Sequence, residues 1–169
     1  IAATPNLRLV CIAATGTNNV DLEAARSQGV AVTNVVRYAT PAVVQHVFAL
    51  ILALSTRLPD YRAAVRAGQW SASPHFCLLD FPIRELAGRT LGIVGYGELG
   101  RHVTQVATAF GLTVEVAQLP GRPAEADRTP FDELLERVDV LSLHCPLTPE
   151  THHLVDGEAL ARMRDDALL

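Results

Sequence analysis

Cysteine is scarce in this chain. Cys11, Cys77 and Cys145 are three in number, widely spaced and without a C-x-x-C pair, so neither a disulfide framework nor a zinc site is expected. A reducing cytoplasm is the simplest setting. Clusters of basic residues are missing as well, and with a formal charge of −4 a nucleic-acid surface is excluded as the main partner. No charged-then-apolar leader follows Ile1, so no secretory signal is expected. Ala42 to Leu58 is apolar almost all round, yet Gln45, His46, Ser55 and Arg57 interrupt it, leaving less than the ~20 residues a bilayer span needs. A helix buried in the protein or in a subunit contact fits better. Internal repeats, low-complexity tracts, a Ser/His/Asp set and a nucleophile elbow are all absent, which denies hydrolytic chemistry a foothold.

What is present suits one full domain, or one domain plus part of another: 169 residues, 49% of them apolar, can bury a sizeable core. Leu7 to Ala13 is a short apolar run that reads as a buried strand, Val20 to Gln28 as a helix stopped by Gly29, and Val30 to Thr33 as a second strand. That order is a βαβ unit, which builds parallel sheets with ligands at the strands' carboxyl ends. Thr15 lies at such an end. Thr40-Pro41 has the capping hydroxyl and first-turn proline of a helix start, and Pro59 the character of its stop, with a more polar helix over Asp60 to Ala67. Trp70 to Arg84, with Pro74, Pro82, Phe76 and Phe81, reads as an ordered loop with apolar anchors of the kind that makes protein contacts.

The stretch Thr90 to Gly100 carries the sharpest signal: a buried strand, then Gly95, Gly97 and Gly100 in G-x-G-x-x-G spacing, then the amphipathic run Arg101 to Phe110. Gly95 permits the tight turn, Gly97 leaves room for a pyrophosphate against bare backbone, and Gly100 lets helix and strand approach closely. The anion then sits on free N–H groups at the helix's positive end. Further strands are expected over Leu112–Gln118 and Asp139–Cys145, and helices over Phe131–Val138 and Asp156–Met163.

In such folds an acid ending the second strand takes the ribose hydroxyls. Gln118 holds that place, while Glu115 points by alternation to the other face. A neutral residue does not repel a 2′-phosphate and Arg122 could pair with one, so NADP is open beside NAD; a solvated turn charge is the equal alternative for Arg122. His46 fits a hydrogen-bonded core or interface group, His102 a solvent-facing one, and His144 either a cofactor contact or a strand-end bend. His152 and His153 have no carboxylate or thiol at ligand spacing.

The blocks Leu7–Leu22, Val32–Asn34, Thr40–Leu50, Leu86–Gly100 and Asp139–Thr151 together resemble the D-isomer-specific 2-hydroxyacid dehydrogenases, and Phe76–Pro82 and Gln118–Pro123 are most similar to the bacterial glycerate dehydrogenases, or hydroxypyruvate reductases, among them. The resemblance implies an α/β fold: a Rossmann-type doubly wound parallel sheet over 37–169, cut before its last strands, plus part of a flavodoxin-like substrate domain over 1–36. It implies a homodimer joined through the dinucleotide domains, with the helix from Pro41 and the loop from Trp70 in the contact. The activity implied is NAD- or NADP-dependent interconversion of a D-2-hydroxy acid and its 2-keto acid, of the glycerate/hydroxypyruvate or glyoxylate class.

Residue by residue, the resemblance sets Thr15 beside the nicotinamide, and Gly95, Gly97, Glu98, Leu99 and Gly100 around the pyrophosphate. Gln118 replaces the acidic ribose ligand, and Cys145 and Pro146 line the adenosine side. The family's catalytic arginine, glutamate and histidine are expected beyond Leu169 and its early substrate loop before Ile1, so no residue here matches a catalytic position, no metal ligand is implied, and this stretch alone is expected to bind cofactor at best. A non-enzymatic, dinucleotide-sensing protein, as in the family's co-repressor branch, is the alternative.

Overall fold

The computed structural model describes residues 1–169. Short runs rich in β-branched residues become strands, most deeply buried in the central β3. β1 (Leu9–Cys11) and β2 (Ala31–Thr33) pair in parallel with Val10 opposite Val32. Between them runs α1 (Leu22–Ser27), whose first turn is capped by the Asp21 carboxylate accepting from the Ala24 N–H at 2.9 Å.

After a connector comes α2 (Thr40–Ser55), with Pro41 in its first turn. Thr40 is not its cap, contrary to the sequence reading. Ala39 occupies the cap position and the Thr40 hydroxyl donates instead to Glu98 Oε1, 58 residues away, at 2.8 Å. Pro59 likewise opens α3 (Leu58–Arg66) rather than only closing α2. The break comes from Arg57, at φ 53°, and bends the two helices by 63°. No single helix is long and apolar enough to cross a membrane. A one-turn helix, α4 (Gln69–Ala72), begins the stretch expected to be loop.

The larger sheet holds β3 (Thr90–Val94), β4 (Thr113–Gln118), β5 (Thr129–Pro130) and β6 (Val140–Leu143), in the order β5-β4-β3-β6, all parallel. Leu168 pairs in parallel with Val140 on the outer side of β6. α5 (Glu98–Ala109) crosses between β3 and β4, α6 (Phe131–Arg137) between β5 and β6, and α7 (Gly157–Arg162) follows β6. This is the Rossmann order, and the crevice lies where successive crossovers diverge from β3.

Alternation along β3 splits the core in two. Leu91 and Ile93 join α2 and α5 residues Val44, Phe48, Ile51, Val103 and Ala107 on one face. Val94 joins Leu134, Leu135, Val138 and Leu141 on the other. Each fully buried Leu or Val contributes about 1.5–3 kcal/mol, so both faces must be covered and the sheet is doubly wound. Ile12, Ala25 and Val30, buried around β1 and β2, belong to neither cluster.

At the amino-terminal edge of the sheet the Asp139 carboxylate ties β6 to β3. It accepts from the Thr90 N–H and from Arg89, both at 2.9 Å. Burial pushes this carboxyl up, but the Thr90 N–H and the guanidiniums of Arg89 and Arg164 outweigh it and hold the group below its ordinary value.

Candidate functional site

The three glycines of the turn that opens α5 meet different surroundings. Gly95 sits at φ 98°, and a β-carbon there would lie 2.5 Å from the Cys145 backbone nitrogen and 2.7 Å from its Cα. A β-carbon on Gly100 would strike the Gly95 carbonyl oxygen and come within 3.1 Å of Ile93 Cγ2. Gly97 is different: its φ is −78°, and a β-carbon there would meet nothing within 4 Å. The middle glycine faces open space, while the other two are forced by packing.

α5 starts with Gly97 as its cap residue and no side chain capping it. The N–H groups of Glu98, Leu99 and Gly100 have no acceptor within the chain. Three free donors at the positive end of a 12-residue helix, beside backbone without side-chain cover, fit a diphosphate.

A cleft of about 240 Å³ opens at this turn, small for a ligand pocket and sized for one end of a dinucleotide. Gly95, Tyr96 and Gly97 form one wall, Gln118, Arg122 and Arg128 a second, and His144 and Pro146 a third. Gln118 is therefore in the cleft, but its amide is engaged. Its Nε2 donates to the carbonyls of Leu119 (3.2 Å), Arg122 (3.2 Å) and Pro123 (3.1 Å), and its Oε1 accepts from the Glu125 N–H at 3.1 Å. It organises the loop after β4 from a position in the cleft wall. Glu115 points away as alternation requires, to Thr129 at 3.0 Å and Arg137 at 3.1 Å.

Arg122 is exposed and has no acidic partner within 4.0 Å, whereas Arg128 is committed. Its side chain is only 14% exposed, pairs with Glu125 at 2.9 Å and Asp127 at 2.7 Å, and lies 5.0 Å above the Tyr96 ring. Sequence reading missed Arg128 because it stands in a polar loop outside any motif. His144 lies at the strand end and also lines the cleft. Its N–H closes on the Val94 carbonyl at 2.7 Å, bending the strand end, and its ring reaches the cleft wall with Nε2 2.9 Å from Ser142 Oγ. Burial pushes the imidazole below its ordinary value and pushes the Cys145 thiol up, so at neutral pH both are held uncharged.

Several expected site residues lie elsewhere. Thr15 is exposed, donates to the Val35 carbonyl at 2.9 Å and accepts from Asn34 at 2.8 Å, outside the cleft. Glu98 turns away from the turn to Arg37 and Thr40. Leu99 and Gly100 meet the site through their backbone N–H groups, and the backbone of Cys145 packs against Gly95, but none of the three lines the cleft. His46 is exposed on α2, not a core group, because the helix buries the Val44–Phe48 stripe instead. The rings of His152 and His153 are 3.8 Å apart, and nowhere do three His, Cys, Asp or Glu side chains gather as a metal would need.

Residues 48–169 match the family model described as D-isomer specific 2-hydroxyacid dehydrogenase, NAD binding domain. The chain is 40% identical to the glycerate dehydrogenase of Methylorubrum extorquens over 98% of its own length and 52% of the relative's. Among solved structures it resembles the D-lactate dehydrogenase of Aquifex aeolicus complexed with NAD and lactic acid, with a TM-score of 0.83, 33% identity and coverage of 97% and 49%. It also resembles the acyclic imino acid reductase Bsp5 in complex with NADPH and D-Arg, with a TM-score of 0.82, 26% identity and coverage of 95% and 51%. The chain spans about half the length of the curated relatives it matches.

Proposed function

The chain belongs to the D-isomer-specific 2-hydroxyacid dehydrogenase family, and on that footing we propose that it is the dinucleotide-binding portion of an NAD- or NADP-dependent oxidoreductase that interconverts a D-2-hydroxy acid and its 2-keto acid, of the glycerate/hydroxypyruvate or glyoxylate class. Residues 37–169 are the dinucleotide domain in this reading and residues 1–36 part of the substrate domain. One observation carries it: the N–H groups of Glu98, Leu99 and Gly100 are free beside the open face of Gly97.

When bound, the nicotinamide supplies or accepts the hydride. This chain's residues hold and orient it. The free N–H groups at α5 take the diphosphate, the loop pinned by Gln118 borders the adenosine end, and His144 and Pro146 close the cleft's third wall. Arg122, free of any acid, is the group we assign to a 2′-phosphate, which favours NADPH. Hydride transfer to a keto acid also needs a cation for its carboxylate and a proton donor for the forming alkoxide. We assign neither role within these 169 residues, so nucleotide binding without turnover is expected of them.

We assign the uncovered apolar surface to a second copy of the chain. Leu50 and Leu54 are half-exposed on the outer side of α2, and Phe76 and Leu79 are 94% and 82% exposed in the loop after α4.

Titrating NADH and NADPH against the chain by cofactor fluorescence tests the binding site, with saturation at micromolar nucleotide expected. Adding hydroxypyruvate or glyoxylate and NAD(P)H to the enclosing full-length polypeptide tests the reaction, and separates an enzyme from a nucleotide-sensing binding protein. Absence of saturation by either nucleotide would overturn the reading.

A further inference from the structure

Glu98 poses an electrostatic problem that the chain itself solves. It is the first residue of α5, directly after Gly97, and its own N–H is one of the three free donors. An acid there is drawn toward the positive helix end. Left free, it would compete with an incoming diphosphate for those donors and repel it.

Both carboxylate oxygens are instead engaged on the far side. Arg37 Nε lies 2.7 Å from Oε2, and Thr40 donates to Oε1 at 2.8 Å. Glu98 thereby lines a separate hollow between α2 and α5, with Arg37, Thr40, His102 and Gln105, and is absent from the cleft at the glycine turn. The two anchors differ in character. Thr40 is only 7% exposed, so its hydroxyl depends on this one partner. The Arg37 side chain is 78% exposed and its backbone sits in the left-handed region at φ 62°, an unfavourable conformation for a residue other than glycine. An exposed ion pair adds little to stability, so a stabilising role does not account for this geometry.

We propose that Arg37 and Thr40 are positioning residues for the cofactor: by binding both oxygens of Glu98 they hold its negative charge away from the diphosphate cradle. The inference rests on the dinucleotide reading above. Fluorescence titration of NADPH against the full chain tests it, with thermal melting of the nucleotide-free protein as a second readout. Arg37→Met and Thr40→Val are each expected to raise Kd threefold to tenfold while moving the melting midpoint little, and Arg37→Lys to stay within twofold of the parent. In a Glu98→Gln background, where no charge remains to be held away, Arg37→Met should change Kd by less than twofold. An unchanged Kd for Arg37→Met, or an equal loss with Gln at position 98, overturns the proposal in favour of a purely structural contact. If Thr40→Val does not fold, the exposed Arg37 series decides alone. A parent protein that binds no nucleotide would instead defeat the dinucleotide reading itself.

Discussion

The backbone nitrogen of Cys145 stands 2.5 Å from the point where a β-carbon on Gly95 would sit. The end of β6 and the glycine turn after β3 are thus in contact through bare backbone. Gly95→Ala should add about 1–3 kcal/mol of backbone strain at φ 98° and force β6 away, lowering both the melting temperature and nucleotide affinity. Gly97→Ala is the contrasting case. With no neighbour within 4 Å and a negative φ, it should leave stability within about 0.5 kcal/mol yet weaken nucleotide binding about tenfold, or 1.4 kcal/mol. Melting curves and fluorescence titrations on the two variants distinguish packing from ligand space.

Arg122→Ala is expected to weaken NADPH about tenfold and to leave NADH within twofold, since only the 2′-phosphate distinguishes the two. Gln118→Ala should weaken both nucleotides, because removing its amide releases the carbonyls of Leu119, Arg122 and Pro123 and loosens the whole loop. Parallel titrations with the two cofactors measure each case.

Removing the Asp139 carboxylate leaves the Thr90 N–H and Arg89 without their acceptor. Asp139→Ala should cost about 1–3 kcal/mol in chemical denaturation.

Acid should destabilise the fold in two stages. His144 and Asp139 both have folded values below their ordinary ones of 6.5 and 3.8, so in each case the unfolded chain takes up protons first. Stability is therefore fully present above pH 6.5, declines as pH falls from there through the lowered His144 value, and declines again below pH 3.8 as Asp139 is protonated. His144→Gln should abolish the first decline and leave the second, as read from denaturation midpoints across the pH series.

The strand, turn and helix around Gly95 were legible in the sequence because glycine spacing and apolar periodicity point the same way there. Gln118 and Glu115 were correctly set on opposite faces, since alternation in a strand is rigid. Other features needed the third dimension. A threonine before a proline caps a helix in most contexts, and nothing local reveals that Thr40 bonds Glu98 instead. Pro59 ends one helix and starts the next, which composition cannot separate. Thr129–Pro130 is too short for a periodic signal. Motif position shows that the Glu98 N–H faces the glycine turn, but not that its side chain turns to Arg37, nor that the contacts of Thr15 are with Val35 and Asn34.

If the proposed dimer forms through this face, a double substitution of Leu50 and Leu54 to Glu should convert it to monomers in light scattering without lowering the melting point of the monomer, since both side chains already face solvent in the single chain.

The Gln118 amide at the end of β4 grips only main-chain atoms of the turn that follows, not neighbouring side chains. A rim position such as Arg122, whose side chain has no acidic partner, is therefore free to vary chemically while the path of the backbone stays put. A nucleotide site built this way can be retuned by swapping a residue at the rim, with no need to remake the scaffold underneath.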